Sequence, residues 1–228
     1  VNGIGITRMV EPVDAIDVVP TLQANVSAIL EAGGIASINH PNFKWSFNHE
    51  SIIQVLGASL LEVFNGHPGV NVYGAPGKLS YEEIWDGVLS TGKAIFGVAT
   101  DDSHNYTEVA ADQANPGRAW VVARATELSE EVIVESLVTG DFYTSTGVSI
   151  RSLETSDESI DLEIKEGSGD SYVTSFIRRA GAGVAQEAGT RVSYRVRGDK
   201  GYVRARITSA VACLPSPKWV VRRETTWA

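Results

Sequence analysis

Apolar residues recur at a helical spacing through residues 17–31 (DVVPTLQANVSAILE), with Val18, Leu22, Val26, Ile29 and Leu30 on one side. Pro20 suits the first turn of that helix and Gly33-Gly34 its end. The run IASI (35–38) then reads as a short strand that stops at Asn39-His40-Pro41. Further helices are predicted over 49–56, over 80–92 with Ser80 as N-cap and Gly92 as stop, and over 129–140. Between them lie strands at 59–64 (SLLEVF), 94–100 (AIFGVAT) and 119–124 (AWVVAR). These strands are continuous apolar runs, the pattern of a parallel sheet buried on both faces by helices. Past about residue 145 the pattern becomes short alternating segments (SIRSLETS, SIDLEIKE, YVTSFIRRA, RVSYRVRG, GYVRARITSA) between Gly, Ser and Asp turns. That alternation predicts antiparallel strands with one wet face.

A division follows, into an α/β part over 1–146 and a small antiparallel β domain over 147–228. Composition alters this picture little: 43% hydrophobic and 21% charged residues are ordinary for a soluble protein. A formal net charge of -9 argues against a nucleic-acid partner, and no apolar run nears the ~20 residues of a membrane span. The single cysteine, Cys213, has no partner for an internal disulfide. Val1 is not an initiator methionine, which suggests a processed chain or a piece of a longer one.

The chemistry-bearing residues cluster just after strand ends, the rim where parallel α/β folds bind ligands. Residues 97–105 read GVATDDSHN. In an extended segment Asp102 and His104 project to the same side, an oxygen and an imidazole ligand of the kind that holds Zn²⁺, Mn²⁺ or Fe²⁺. An Asx-type turn is the plainer account of the same residues. His40 precedes Pro41, which restricts its backbone toward extended conformations. Glu62 interrupts the apolar strand LLEVF, so it is either a metal ligand or an acid matched by a neighbouring base. His67 (in NGHPG) and Arg118 are candidates for substrate binding, with a turn and an ion pair as their simpler roles. His49 reads as an exposed first-turn residue. Ser103 lacks a G-x-S-x-G elbow, and GAPG (74–77) lacks the phosphate-cradle pattern.

Taken in order, INHP (38–41), LEVFNG (61–66), VATDDSH (98–104) and FYTSTG (142–147) resemble the later motifs of the PHP (polymerase and histidinol phosphatase) superfamily. The β-rich tail is similar to that of the branch containing carbaryl hydrolases. The resemblance implies an α/β fold, here a partial, distorted (β/α)7 TIM-like barrel followed by a small antiparallel β-sandwich-like domain. It implies metal-activated water acting on small-molecule phosphoesters or related esters, with two or three divalent ions in the family and one or none in this chain. His40, Glu62, Asp102 and His104 match metal-ligand positions, Asp102 and His104 doubling as catalytic groups. The family's opening H-x-H has no counterpart, because His40 is the first histidine and Glu11, Asp14, Asp17 and Glu31 are the only acids before it. The expectation is a domain lacking its N-terminal part, inactive if no other ligands are supplied, or a non-catalytic metal- or anion-binding module. An open barrel edge would favour homo-oligomers.

Overall fold

The computed structural model describes residues 1–167, 170–196 and 201–210 and the backbone of 217–222; Cys213 lies outside these. Periodicity and caps place the helices well. Helix α1 (Val18–Glu31) turns its apolar stripe of Leu22, Val26 and Ile29 inward. Helix α2 (His49–Ile52) is a single turn, shorter than predicted, and Lys93 Nζ takes up the carbonyls of Ile52 and Val55 beyond it. Helix α3 (Tyr81–Leu89) starts on a full capping box, in which Ser80 and Glu83 satisfy each other's backbone amides. Helix α4 (Glu130–Thr139) starts on Ser129 and ends on Gly140 in the left-handed conformation.

Strands β2 (Ile35–Ile38), β3 (Ala58–Asn65) and β4 (Phe96–Thr100) form a parallel sheet, with β1 (Asn2–Ile4) antiparallel on the edge beside β2. Helices α1 to α3 cover one face through a core that includes Val26, Ile38, Leu61, Val63, Trp85 and Val88. On the other face Leu60 and Val98 meet Leu137 of α4 and Phe142. Burial on both sides explains why the strands carry apolar runs rather than alternation.

The sheet goes no further. Strands β5 (Trp120–Ala123) and β6 (Phe142–Ser145) pair antiparallel with each other as a separate two-stranded sheet. On the β4 side, the Ala99 amide is taken by the Thr144 hydroxyl at 2.5 Å instead of by a fifth strand. Among the described residues, strand accounts for 34% against 21% helix, in several small sheets of which none closes. The expected partial (β/α)7, TIM-like barrel is therefore overturned: the chain is mostly β, in separate small sheets.

The later strands build two antiparallel sheets. One has the order β11 (Arg191–Arg195), β8 (Ser159–Ile164), β7 (Ile150–Thr155). The other has the order β10 (Ala182–Ala188), β9 (Ser171–Arg178), β12 (Val203–Ala210), β13 (Pro217–Arg222). They enclose Ile160, Leu162, Phe176, Val192, Ala205 and Ile207. The opposite face of β12 is not wet, as alternation predicted, but lies on α3. There Arg204, 1% exposed, donates to Asp86 and Glu82. Among the described residues, no helix is long and apolar enough to cross a membrane.

Candidate functional site

Glu62 organises the C-terminal edge of the parallel sheet. It sits at a bulge of β3, where the register against β4 shifts between Glu62 and Phe64, and it is 1% exposed. One carboxylate oxygen accepts from the His40 amide at 2.6 Å. The other accepts from the Thr100 hydroxyl at 2.5 Å and from Asn65 Nδ2 at 3.1 Å. The ends of β2, β3 and β4 are thereby tied to one carboxylate. Burial pushes the Glu62 carboxyl above its ordinary value, opposed by the hydroxyl, side-chain amide and backbone donors and by His40 nearby.

The His40 amide reaches Glu62 because the backbone turns sharply there, at φ 35°. This corrects the extended geometry expected before Pro41: the hydrogen bond to a buried carboxylate outweighs the pre-proline preference. Asp102 also has positive φ, 48°, and residues 101–105 are not strand, so the extended-segment argument for Asp102 and His104 does not describe them. They are nonetheless neighbours. His104 Nδ1 lies 2.7 Å from the Asp102 carbonyl and 3.9 Å from its Oδ1. A carbonyl only accepts, so the neutral ring carries its proton on Nδ1 and presents a lone pair at Nε2. Asp102 Oδ2 accepts from the same Asn65 amide that serves Glu62.

His67 joins this corner. Its amide donates to Asn65 Oδ1, and its Nδ1 accepts from the Gly69 amide at 2.9 Å, which puts its ring proton on Nε2. The rings of His67 and His104 meet edge to face, with centroids 5.4 Å apart. Arg118 is committed elsewhere: its guanidinium donates to the carbonyls of Gly66, Ala110 and Ala111 and holds the loop after β4 in place. Asp101 likewise accepts from the Gly117 amide. His49, expected to be exposed, rests against Gly87 of α3 with Nδ1 buried.

Three contributors were not legible as site residues. Asn65 and Thr100 read as ordinary strand-end polars, though their order after LEVF and GVA was the available signal. Tyr81 reads as an apolar helix position. Its hydroxyl is buried beside the Asn42 backbone, and burial, then the charge of Glu62, push its ionisation upward, opposed by the Asn42 backbone hydrogen bond. Asn39 Oδ1 is buried with no hydrogen-bond partner among the described residues.

The donors present, imidazoles at His40 and His104 and carboxylates at Glu62 and Asp102, are of the type that takes a borderline divalent ion. Their placement is less complete. Among the described residues, no three His, Cys, Asp or Glu groups come together to hold a metal ion, and both Glu62 oxygens already accept hydrogen bonds. A groove of about 830 Å³ lies away from this corner, between α3 and the β9–β12 sheet, where Glu82, Asp86, Arg204 and Arg206 pair with one another. Comparison with protein-family models, curated proteins and solved structures finds no match.

Proposed function

We propose that the corner formed by His40, Glu62, Asp102, His104 and His67 is a metal-dependent hydrolytic site for small phosphoesters or related esters, as the ordered INHP, LEVFNG and VATDDSH motifs imply. The observation that carries this reading is the convergence of those motifs on one buried hub, Glu62, which joins the His40 amide to Asn65, and through Asn65 to Asp102. The motifs assign the ion to His40, Asp102 and His104, which would have to draw closer together than they stand in this structure to hold it. When bound, it would supply a water of lowered pKa and a positive charge against the developing oxyanion. The chain's own groups have distinct tasks. Glu62, saturated by donors, positions His40 and Asn65. His104 keeps an acceptor lone pair at Nε2, and His67, whose ring centre lies 5.4 Å away, carries an N–H that would donate to a leaving oxygen.

The test is metal content and turnover of the purified chain after reconstitution with Mn²⁺ or Zn²⁺, using p-nitrophenyl phosphate and p-nitrophenyl acetate. About one ion per chain with metal-dependent release of p-nitrophenol is the expected result, and His104→Ala should lower both. Metal bound without turnover would leave a non-catalytic metal-binding module. Failure to retain any ion would overturn the metal site.

A further inference from the structure

The loops that follow β2 and β3 carry a surface that the hydrolytic reading does not use. Residues 39–49 and 63–81 contain no acidic residue, in a chain with 28 Asp and Glu and a net charge of -9. They hold instead Lys44, Lys78, Phe43, Trp45 and Tyr73. Phe43 is 40% exposed and Tyr73 67% exposed, while Trp45 is half-buried. Lys44 Nζ stands 5.4 Å from the Phe43 ring centre, and Lys78 Nζ reaches across from the other loop to 5.8 Å from that of Trp45. Among the described residues, neither lysine has a carboxylate within ion-pair distance.

The two loops are rigidly joined. Buried Asn42 donates to the carbonyls of Asn71 at 3.0 Å and Leu79 at 2.6 Å, and Asn71 donates back to the Asn42 carbonyl. Lys44 and Trp45 are consecutive non-glycine residues in the left-handed region, at φ 54° and 57°. Such strain persists where surrounding contacts enforce it, and it concentrates at ligand sites. The surface abuts the proposed site, because Phe43 meets the His40 ring edge to face at 5.7 Å.

Two ammonium groups without carboxylate partners, set over aromatic rings in an otherwise acidic protein, complement a flat, negatively charged group. We propose that these interlocked loops recognise a planar aromatic anion, with Phe43 and Trp45 stacking on its ring and Lys44 and Lys78 meeting its charge. This names the substrate class of the corner above and rests on the hydrolytic reading for turnover, though not for binding.

Naphthalene-2-sulfonate is a suitable probe, being non-hydrolysable and a poor metal ligand. Titration calorimetry on the full chain should show saturable binding, at least about fivefold weaker for cyclohexanesulfonate, which lacks the π face, and for neutral 2-naphthol. Lys44→Met with Lys78→Met should lower affinity by about fivefold or more at unchanged melting temperature. Trp45→Gly, which suits the positive φ, should abolish the preference for the aromatic sulfonate. No binding, equal affinity for all three probes, or a double lysine variant that binds like the parent would each overturn the proposal. The two readings separate cleanly. Sulfonate binding without ester turnover removes the hydrolase and keeps the aromatic-anion surface. Turnover without any aryl preference does the reverse.

Discussion

Replacing Asp86 by asparagine isolates the contact that joins the two halves of the chain. Arg204 on β12 donates to Asp86 through Nε at 2.8 Å and Nη2 at 2.6 Å, and Nη2 also lies 2.8 Å from Glu82. Tyr202 donates its hydroxyl to the same Asp86 oxygen at 2.7 Å, and the Trp85 ring lies 5.4 Å from the guanidinium. The Arg204 side chain is 1% exposed and that of Asp86 7%, so little solvent screens the pair. Two unit charges about 4 Å apart interact by about 4 kcal/mol at an effective dielectric near 20. Removing one partner of a buried pair costs about 3 to 5 kcal/mol, because the other charge stays buried. Glu82 remains to compensate part of that, at 21% side-chain exposure, so Asp86→Asn should cost about 3 kcal/mol. The triple change Asp86→Leu, Arg204→Met, Tyr202→Phe removes both charges and the orphaned hydroxyl, and should recover most of the loss. Urea unfolding followed by tryptophan fluorescence and far-ultraviolet dichroism measures both, with m-values reporting whether the halves still unfold together. A loss below about 1 kcal/mol for the single change, or a triple variant no more stable than the single, would refute the reasoning.

Three further outcomes are expected. With its carboxyl raised above the ordinary value by burial, Glu62 binds its proton more tightly folded than unfolded. Its contribution to stability is therefore greatest below the ordinary glutamate range and is lost as pH rises through the raised value. As pH rises above the ordinary glutamate range, the parent's stability should fall relative to Glu62→Gln, by up to about 1.4 kcal/mol per pH unit in urea titrations; a parallel slope would refute the assignment. Gly140→Ala, at φ 75°, drives a Cβ into overlap with the edge of the Phe96 ring. It should cost about 3 kcal/mol and lower the melting temperature by roughly 6 to 12 °C, measured by differential scanning fluorimetry. Ser80→Ala removes the hydroxyl of the α3 capping box and should cost about 1 kcal/mol by urea unfolding.

Much of the local structure was legible because its causes are local. Ser80 with Glu83 announces the start of α3, Gly140 the end of α4, and the apolar runs of β2 to β4 a sheet covered on both faces. The same reading erred on closure. The run AWVVAR looks like another barrel strand, yet β5 pairs antiparallel with β6 and never joins β4. Strand identity is written in composition, whereas strand partner depends on which edge and which face remain free after folding. Arg204 shows the same limit. It stands in an alternating strand and reads as solvent-facing, until α3, more than a hundred residues earlier, covers that face.

For the candidate site, the sequence alone marked His40, His67, Asp102 and His104 as polar residues just after strands, and Glu62 as an acid within one. That marking follows from hydrophobic patterning, since a polar group that ends a buried strand sits at its rim. Tertiary structure alone decided what each group faces. It sent Glu62 to the His40 amide, Thr100 and Asn65, brought the His67 ring to His104, and spent Arg118 on loop carbonyls. The reason is physical: side-chain type is a property of one position, but hydrogen-bond partners and burial belong to residues brought together from distant parts of the chain.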